Sequence, residues 1–178
     1  IEITAGRLEN GTSVPSRITA AGGHINVVSV VGAGEQSLGG TPAGLAGTSF
    51  DPANVAGQGG TIQLTSGAAL DTSSSTGRAG PILIRGGQLV MENAALAANT
   101  SSNTTDAVPS TAQGNISVQA EHVSLSNGST LTASTSGADN AGNITIEART
   151  LASNMGDDGL PLSGAAPVTI ASNSTGQG

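Results

Sequence analysis

A short pattern stands out in the stretch Gly114-Asn115-Ile116-Ser117-Val118: glycine, any residue, aliphatic, any residue, aliphatic. The pattern recurs four more times, at Gly23–Val27, Gly60–Leu64, Gly80–Ile84 and Gly142–Ile146. The first three residues, Ile1-Glu2-Ile3, repeat it without the glycine. Strict alternation of apolar and polar residues has the period of a β-strand with one buried face. Recurrence at intervals of 20 to 37 residues indicates a stacked repeat.

Two further short strands are predicted inside each repeat. In the repeat that begins at Gly114, the inward positions after Val118 are Val123 and Leu125, and the turn Asn127-Gly128 precedes the next strand. No stretch has the 3.6-residue apolar period and the caps of a helix. We therefore expect an all-β parallel β-helix of about six three-strand coils, in which each strand pairs in parallel with its equivalents above and below.

The composition fits a narrow aliphatic interior. The chain has 178 residues with 27 glycines, no cysteine, tryptophan or tyrosine, and one aromatic residue, Phe50. Bulky rings would not fit between closely stacked short strands, whereas small aliphatic side chains would line up in columns. Ten residues are the predicted core: Ile25, Val27, Ile62, Leu64, Ile82, Ile84, Ile116, Val118, Ile144 and Ile146.

Glycine and asparagine are predicted to form the corners. Glycine adopts positive φ without steric cost, and asparagine tolerates the left-handed region better than most residues. We expect Asn10, Asn93 and Asn127 at one corner, and Asn115 and Asn143 at another. Stacked asparagine side chains can form hydrogen bonds along the stacking axis.

Several function classes are disfavoured by the residue content. Without cysteine there is no disulfide framework or thiolate metal site. Five arginines, no lysine and a net charge of −7 argue against a nucleic-acid partner. No apolar run is long enough to span a membrane as a helix. No nucleophile, P-loop or zinc-protease motif is present, and His24 and His122 lie far apart in sequence, so we predict no catalytic residue, metal site or cofactor.

Three rival functions remain open. A polysaccharide-acting β-helix enzyme would need clustered carboxylates, but the acidic residues are scattered, and the best-matched pair, Glu9 and Glu92, is more simply a solvated edge. Calcium could bind oxygen-rich pairs such as Asp157-Asp158 or Asp139-Asn140. An ice-binding face would need a regular Thr-x-Thr array, which does not recur at the coil period.

Insertions break the rhythm near residues 32–57, 99–113 and 153–167, within a single domain that spans residues 1–178. Loops carry binding functions more often than scaffolds do, so a carbohydrate- or surface-binding adhesin that uses one insertion is the alternative to a purely structural role. Among several Asn-x-Ser/Thr sequons, Asn99 and Asn103 are the better candidates for glycan attachment because their insertion is expected to be exposed.

The stretch from Gly114 to Ile144 resembles the repeat of large filamentous-haemagglutinin-like exoproteins. The likeness is strongest over residues 80–147. The resemblance implies a right-handed β-helix, two-partner secretion from a Gram-negative bacterium, and a place at the cell surface. We therefore expect an extracellular fibre segment or adhesin stalk. Its expected partners are further copies or a continuation of the same rod through unprotected ends, and cell-surface glycans.

Overall fold

The computed structural model of the protein describes residues 1–4, 6–7, 13–29, 59–101, 114–136, 140–156 and 159–175. Within these ranges the chain is all-β, with no helix. The described strands, in chain order, are β1 (Glu2–Ile3), β2 (Gly6–Arg7), β3 (Ser13–Val14), β4 (Arg17–Thr19), β5 (Ile25–Val28), β6 (Thr61–Thr65), β7 (Ala69–Asp71), β8 (Ile82–Glu92), β9 (Ala95–Ala97), β10 (Ile116–Ser126), β11 (Thr130–Thr132), β12 (Ile144–Ser153) and β13 (Thr169–Ala171).

Two parallel sheets contain all of these strands except β2 and β3, which pair with each other in an antiparallel arrangement. Sheet A has the spatial order β1-β6-β8-β10-β12, with β5 also paired to β8. Sheet B has the order β4-β7-β9-β11-β13. From β8 onward, consecutive strands alternate between the two sheets, so each strand pairs with the strand two places further along the chain.

The long strands of sheet A have two halves, and this corrects the expected equivalence of the repeats. β5 pairs with the first half of β8, where Ile25 lies opposite Ile82. β6 pairs with the second half, where Ile62 lies opposite Leu89 and not opposite Ile82. β5 and β6 therefore share one level of the stack. β1 also belongs to the second half, because Ile3 pairs with Leu64.

The described strands consequently form five levels, counted identically in sheet B and along the second half of sheet A, whereas the repeated pattern predicted about six coils. The predicted number of coils was too high because every strand with one buried face shows the alternating pattern, whichever side of the stack the strand occupies.

The register aligns aliphatic side chains into columns. In the first half of sheet A, Ile82, Ile116 and Ile144 are paired in register, as the repeated pattern predicts. Five columns result: Ile25/Ile82/Ile116/Ile144, Val27/Ile84/Val118/Ile146, Ile62/Leu89/Val123/Leu151, Ile3/Leu64/Met91/Leu125 and Ile18/Leu70/Leu96/Leu131/Ile170.

Burial follows position along these columns. Members in the middle levels are fully buried, whereas Ile144 and Ile146, on the last level, are half-buried. Eight of the ten predicted core residues are buried, and these two are the remaining ones. Ile25 and Val27 begin their columns and are nevertheless buried, so burial at that end of the stack does not require a paired strand on both sides.

A third side of the stack is formed by single-residue parallel bridges. Ser74, Thr100, Thr135 and Ser174 pair in succession. Thr100 and Thr135 are buried, and the hydroxyl of Thr100 accepts a hydrogen bond from the amide of Ala79 at 3.0 Å. Regular pairing thus continues through Thr100, into the segment that the sequence suggested as an insertion.

The glycines of the repeated pattern are required for close packing. Gly80, Gly114 and Gly142 do not have positive φ, contrary to the expectation for corner glycines. Instead, a Cβ at Gly80 would overlap the carbonyl oxygen of Gly23 and lie 2.6 Å from its carbonyl carbon. A Cβ at Gly142 would likewise lie 2.7 Å from the carbonyl carbon of Gly114. Adjacent levels approach so closely at this corner that no side chain fits between them.

Replacement of Gly80 by alanine should therefore destabilise the fold by about 1–3 kcal/mol through overpacking. The matched control is Gly77→Ala, where the added Cβ would lie 3.8 Å from Ser74 Oγ, an ordinary contact. Gly77→Ala should be neutral or stabilising by up to about 1 kcal/mol, because it restricts the unfolded chain. Urea unfolding of both variants gives the comparison, and equal losses of stability would contradict the packing argument.

The longest insertion begins and ends at neighbouring points of one strand. Val28 pairs with Arg85 and Thr61 pairs with Gln88, so two residues of β8 lie between these pairs. The amide of Gly60 donates to the carbonyl oxygen of Ser29 at 2.9 Å. Ser29 and Gly60 therefore supply the two positions that join β5 to β6 into one strand of the length of β8. The expected loop 32–57 itself lies outside the described residues.

Deletion of residues 30–59 should therefore leave a folded chain whose β5 and β6 form one continuous strand in the native register. Deletion of residues 30–60 is the control, because the strand is then one residue short and a one-residue slip turns Ile62 and Leu64 to the outer face. Far-UV circular dichroism and thermal melting should show a cooperative fold for the first deletion and a much less stable one for the second. Similar melting of the two would contradict the register.

Candidate functional surface

One corner of the stack is built by residues in the left-handed region. Ser66, Asn93, Asn127 and Asn154 have φ of 58°, 48°, 53° and 51°. Each of them directly follows a strand of sheet A. Asn93 and Asn127 are thus at equivalent positions, as the sequence suggested, while Asn10 lies outside the described residues. The sequence analysis missed Asn154, although it follows β12 as Asn127 follows β10, because it lies in the segment 153–167 that was predicted to be an insertion.

Asn154 ties the last level to the level below and to the segment before β13. Its Oδ1 accepts from the backbone amide of Asn127 at 2.9 Å, and its Nδ2 donates to the carbonyl oxygen of Ala166 at 3.1 Å. Its own amide donates to the carbonyl oxygen of Leu125 at 2.9 Å. A single corner side chain thus holds three chain segments together.

Other asparagines also connect levels through side-chain-to-backbone bonds. The amide of Asn143 donates to Oδ1 of Asn115 at 2.8 Å. A second series runs beside the bridges: Asn99 N donates to Ser73 Oγ at 3.0 Å, Ser134 N to Asn99 Oδ1 at 2.9 Å, and Asn173 N to Ser134 Oγ at 3.3 Å. We name this series the acceptor column. Each side chain accepts from the amide of the next level, so these bonds strengthen the pairing along the axis.

Of the two predicted glycan sites, the structure describes only Asn99. Asn99 is half-buried in the acceptor column, and its Nδ2, the atom that would carry a glycan, donates to Thr132 Oγ1 at 3.0 Å. A glycan there would compete with this bond. Asn103 lies outside the described residues.

The histidines lie apart, on exposed surface. His24 precedes β5, and His122 lies on β10 with its Nδ1 2.8 Å from Thr150 Oγ1. In the described part of the chain, no three His, Cys, Asp or Glu side chains group closely enough to hold a metal ion. Of the candidate calcium ligands, Asp139, Asp157 and Asp158 lie outside the described residues, and Asn140 is exposed.

Charged residues form isolated contacts between levels. Arg17 lies 3.6 Å from Asp71, and Arg149 lies 3.6 Å from Glu121, with both arginine side chains largely exposed. Such surface pairs contribute little to stability. Glu9 lies outside the described residues, and Glu92 is exposed at the end of β8.

Arg85 is the one charged residue that is buried among the described residues, and it lies on the outward side of β8. Removal from water lowers the pKa of its guanidinium group. On the next two levels the equivalent residues are Gln119 and Glu147, whose side chains form a hydrogen bond of 2.9 Å. This outward register position of sheet A is therefore polar on three successive levels, from β8 to β12.

The two ends of the stack expose apolar side chains. At the last level, Leu151 and Ile170 are the terminal members of their columns and are about half exposed. We call these two residues the C-terminal end surface. Ile1 and Ile18 are similarly exposed at the first level, and we call them the N-terminal end surface. Among the described residues with a known place in the register of the two parallel sheets, the large exposed aliphatic side chains thus lie at the ends of the columns.

The role of Asn154 can be separated into conformation and hydrogen bonding. Asn154→Ala should lower the free energy of unfolding by roughly 1–2 kcal/mol for two reasons. The variant loses two side-chain hydrogen bonds, and alanine is strained in the left-handed region because it has a Cβ but no side-chain polar group to compensate. Asn154→Gly keeps the conformation at no steric cost and should lose less. Denaturant unfolding of both variants measures the difference, and a greater loss for the glycine variant would contradict this assignment.

Within the described ranges, the chain contains no helix of sufficient length and apolar character to cross a lipid bilayer. Comparison of the chain with protein-family models, with curated proteins and with solved structures gives no match.

Proposed function

We propose that this chain is a segment of an extracellular structural rod, a fibre segment or adhesin stalk, built as a right-handed parallel β-helix of five turns. The observation that carries the proposal is the in-register pairing of five strands in sheet B and along the second half of sheet A. The second to fifth turns would each pass through both halves of sheet A, one strand of sheet B and one bridge residue, and the first turn would pass through the second half of sheet A and β4.

The order of the strands supports this path. β8 is followed by the Asn93 corner, β9 and Thr100, and the chain next forms β10 directly beside β8. β10 leads in the same way through β11 and Thr135 to β12. Parallel crossover connections within one sheet are almost always right-handed, in agreement with the handedness that the resemblance implies.

A rod function follows from how such a stack resists force and proteolysis. Backbone hydrogen bonds run along the axis at about 4.8 Å per level, so five levels span about 19 Å between the first and the last. The acceptor column adds side-chain bonds in the same direction. Local opening of one level would expose the aliphatic columns on both sides, which opposes fraying in the middle of the stack.

The side surfaces favour a structural role over catalysis. Arg17, Asp71, Glu121, Glu147 and Arg149 make contacts between neighbouring levels, and no three described acidic or histidine side chains converge on one point. The net charge of −7, without any lysine, would limit lateral clumping of neighbouring rods by mutual repulsion.

The proposal predicts that the protein is displayed outside the cell. Antibodies raised against the folded chain should label intact, unpermeabilised cells of the source organism. A strain that lacks the gene provides the control for specificity. Labelling that appears only after the cells are permeabilised would contradict an extracellular rod.

A further inference from the structure

We propose that a second copy of this chain docks end to end, with its N-terminal end surface stacked in register on the C-terminal end surface of the first. This inference rests on the proposed rod function and specifies its partner. In the joint, Ile18 of the second copy lies over Ile170, and its Ile1 lies over Leu151. Three observations on the described residues carry it.

The first observation is unfinished burial at the C-terminal end. Leu151 is 53% exposed and Ile170 is 48% exposed. Leu96 and Leu131, which precede Ile170 in its column, are 0% exposed. The side chains are all aliphatic and in the same register, and the difference arises because no described strand pairs with β13 on its outer side.

The second observation is that the other end exposes the same columns. Ile18 is 44% exposed and pairs with Leu70, two levels before Leu131. Ile1 is 52% exposed and precedes Glu2, which pairs with Gln63, so Ile1 belongs to the column of Ile62 and Leu151. A shift of the whole stack by five levels therefore places each exposed residue of one end over its counterpart at the other end.

The third observation is the phase of the backbone hydrogen bonds in sheet B. On β13, Thr169 N donates to Ser129 O and Ala171 O accepts from Ala133 N, both at 3.0 Å. Neighbouring residues of a parallel strand bond to opposite sides, so the peptide groups of Ile170 face outward.

On β4 it is the residues that flank the central isoleucine whose peptide groups face outward. Ser16 O accepts from Ala69 N and Ala20 N donates to Asp71 O, both at 2.9 Å, so Arg17 and Thr19 face away from β7. A residue of a parallel strand bonds to the two residues that flank its partner. The backbone of Ile170 would therefore form hydrogen bonds with Arg17 and Thr19 of the second copy. The register that stacks Ile18 on Ile170 is thus also the register in which the outward-facing peptide groups of β13 meet those of β4.

The joint covers the second half of sheet A and all of sheet B. It does not cover the first half of β12, because β1 pairs only with second-half positions. Ile144 and Ile146 therefore do not contribute to the test.

Engineered disulfides test the register directly, because the chain contains no cysteine. Thr19 and Ala171 flank inward residues and lie on the outer face, where paired strands about 4.8 Å apart suit a disulfide. The Thr19→Cys, Ala171→Cys double variant should form a ladder of linked oligomers under mild oxidation, read on a non-reducing gel. The matched control is Thr19→Cys, Ala152→Cys, which places the second cysteine on the same level but in sheet A and should give no ladder beyond dimers.

Sedimentation velocity supplies the non-covalent readout. The unmodified chain should show a weight-average mass that rises with concentration, and Ile170→Asp should abolish the rise while its circular dichroism spectrum stays that of a β protein. Ladders from both double variants, or from neither, would overturn the proposed joint. A chain that keeps its cooperative β fold without assembling would refute the joint and leave the rod proposal standing, whereas a chain without a β-sheet spectrum would refute both.

Discussion

The structure depends on parallel, in-register pairing between successive levels. No single three-residue strand such as β9 or β11 could bury its apolar side chain alone, but each one covers the next. Leu96 and Leu131 are completely buried only because Leu70 and Ile170 lie on either side of them. Pairing therefore produces the hydrophobic core, and the core in turn holds the pairing in register.

The same constraint explains which residues are required at the corners. Where levels approach most closely, as at Gly80 and Gly142, even a Cβ would collide with a neighbouring carbonyl group. Where the chain turns sharply after sheet A, asparagine takes the left-handed conformation and uses its side chain to bond an adjacent segment, as Asn154 does. Two kinds of corner thus need two different residues for two different physical reasons.

Insertions are tolerated because the pairing closes beneath them. Ser29 and Gly60 lie within hydrogen-bonding distance although 30 residues of sequence separate them. The strand on the next level, β8, runs through the same position without interruption. A scaffold of this type can carry a long excursion in the middle of a strand without loss of its core, which would suit the proposed rod. The end-to-end joint proposed above would then use the two ends of the stack.

The sequence by itself determined the strand type, the aliphatic columns and the corner asparagines, since alternation, small side chains and Asn-Gly turns are local properties. It predicted correctly that Ile82, Ile116 and Ile144 align. Only the tertiary structure decided that Ile62 stacks on Leu89, that five levels form, and that Asn154 is a corner residue. The physical reason is that alternation reports one buried face without saying which side of the stack it belongs to, and that close approach between levels arises only once distant segments pair.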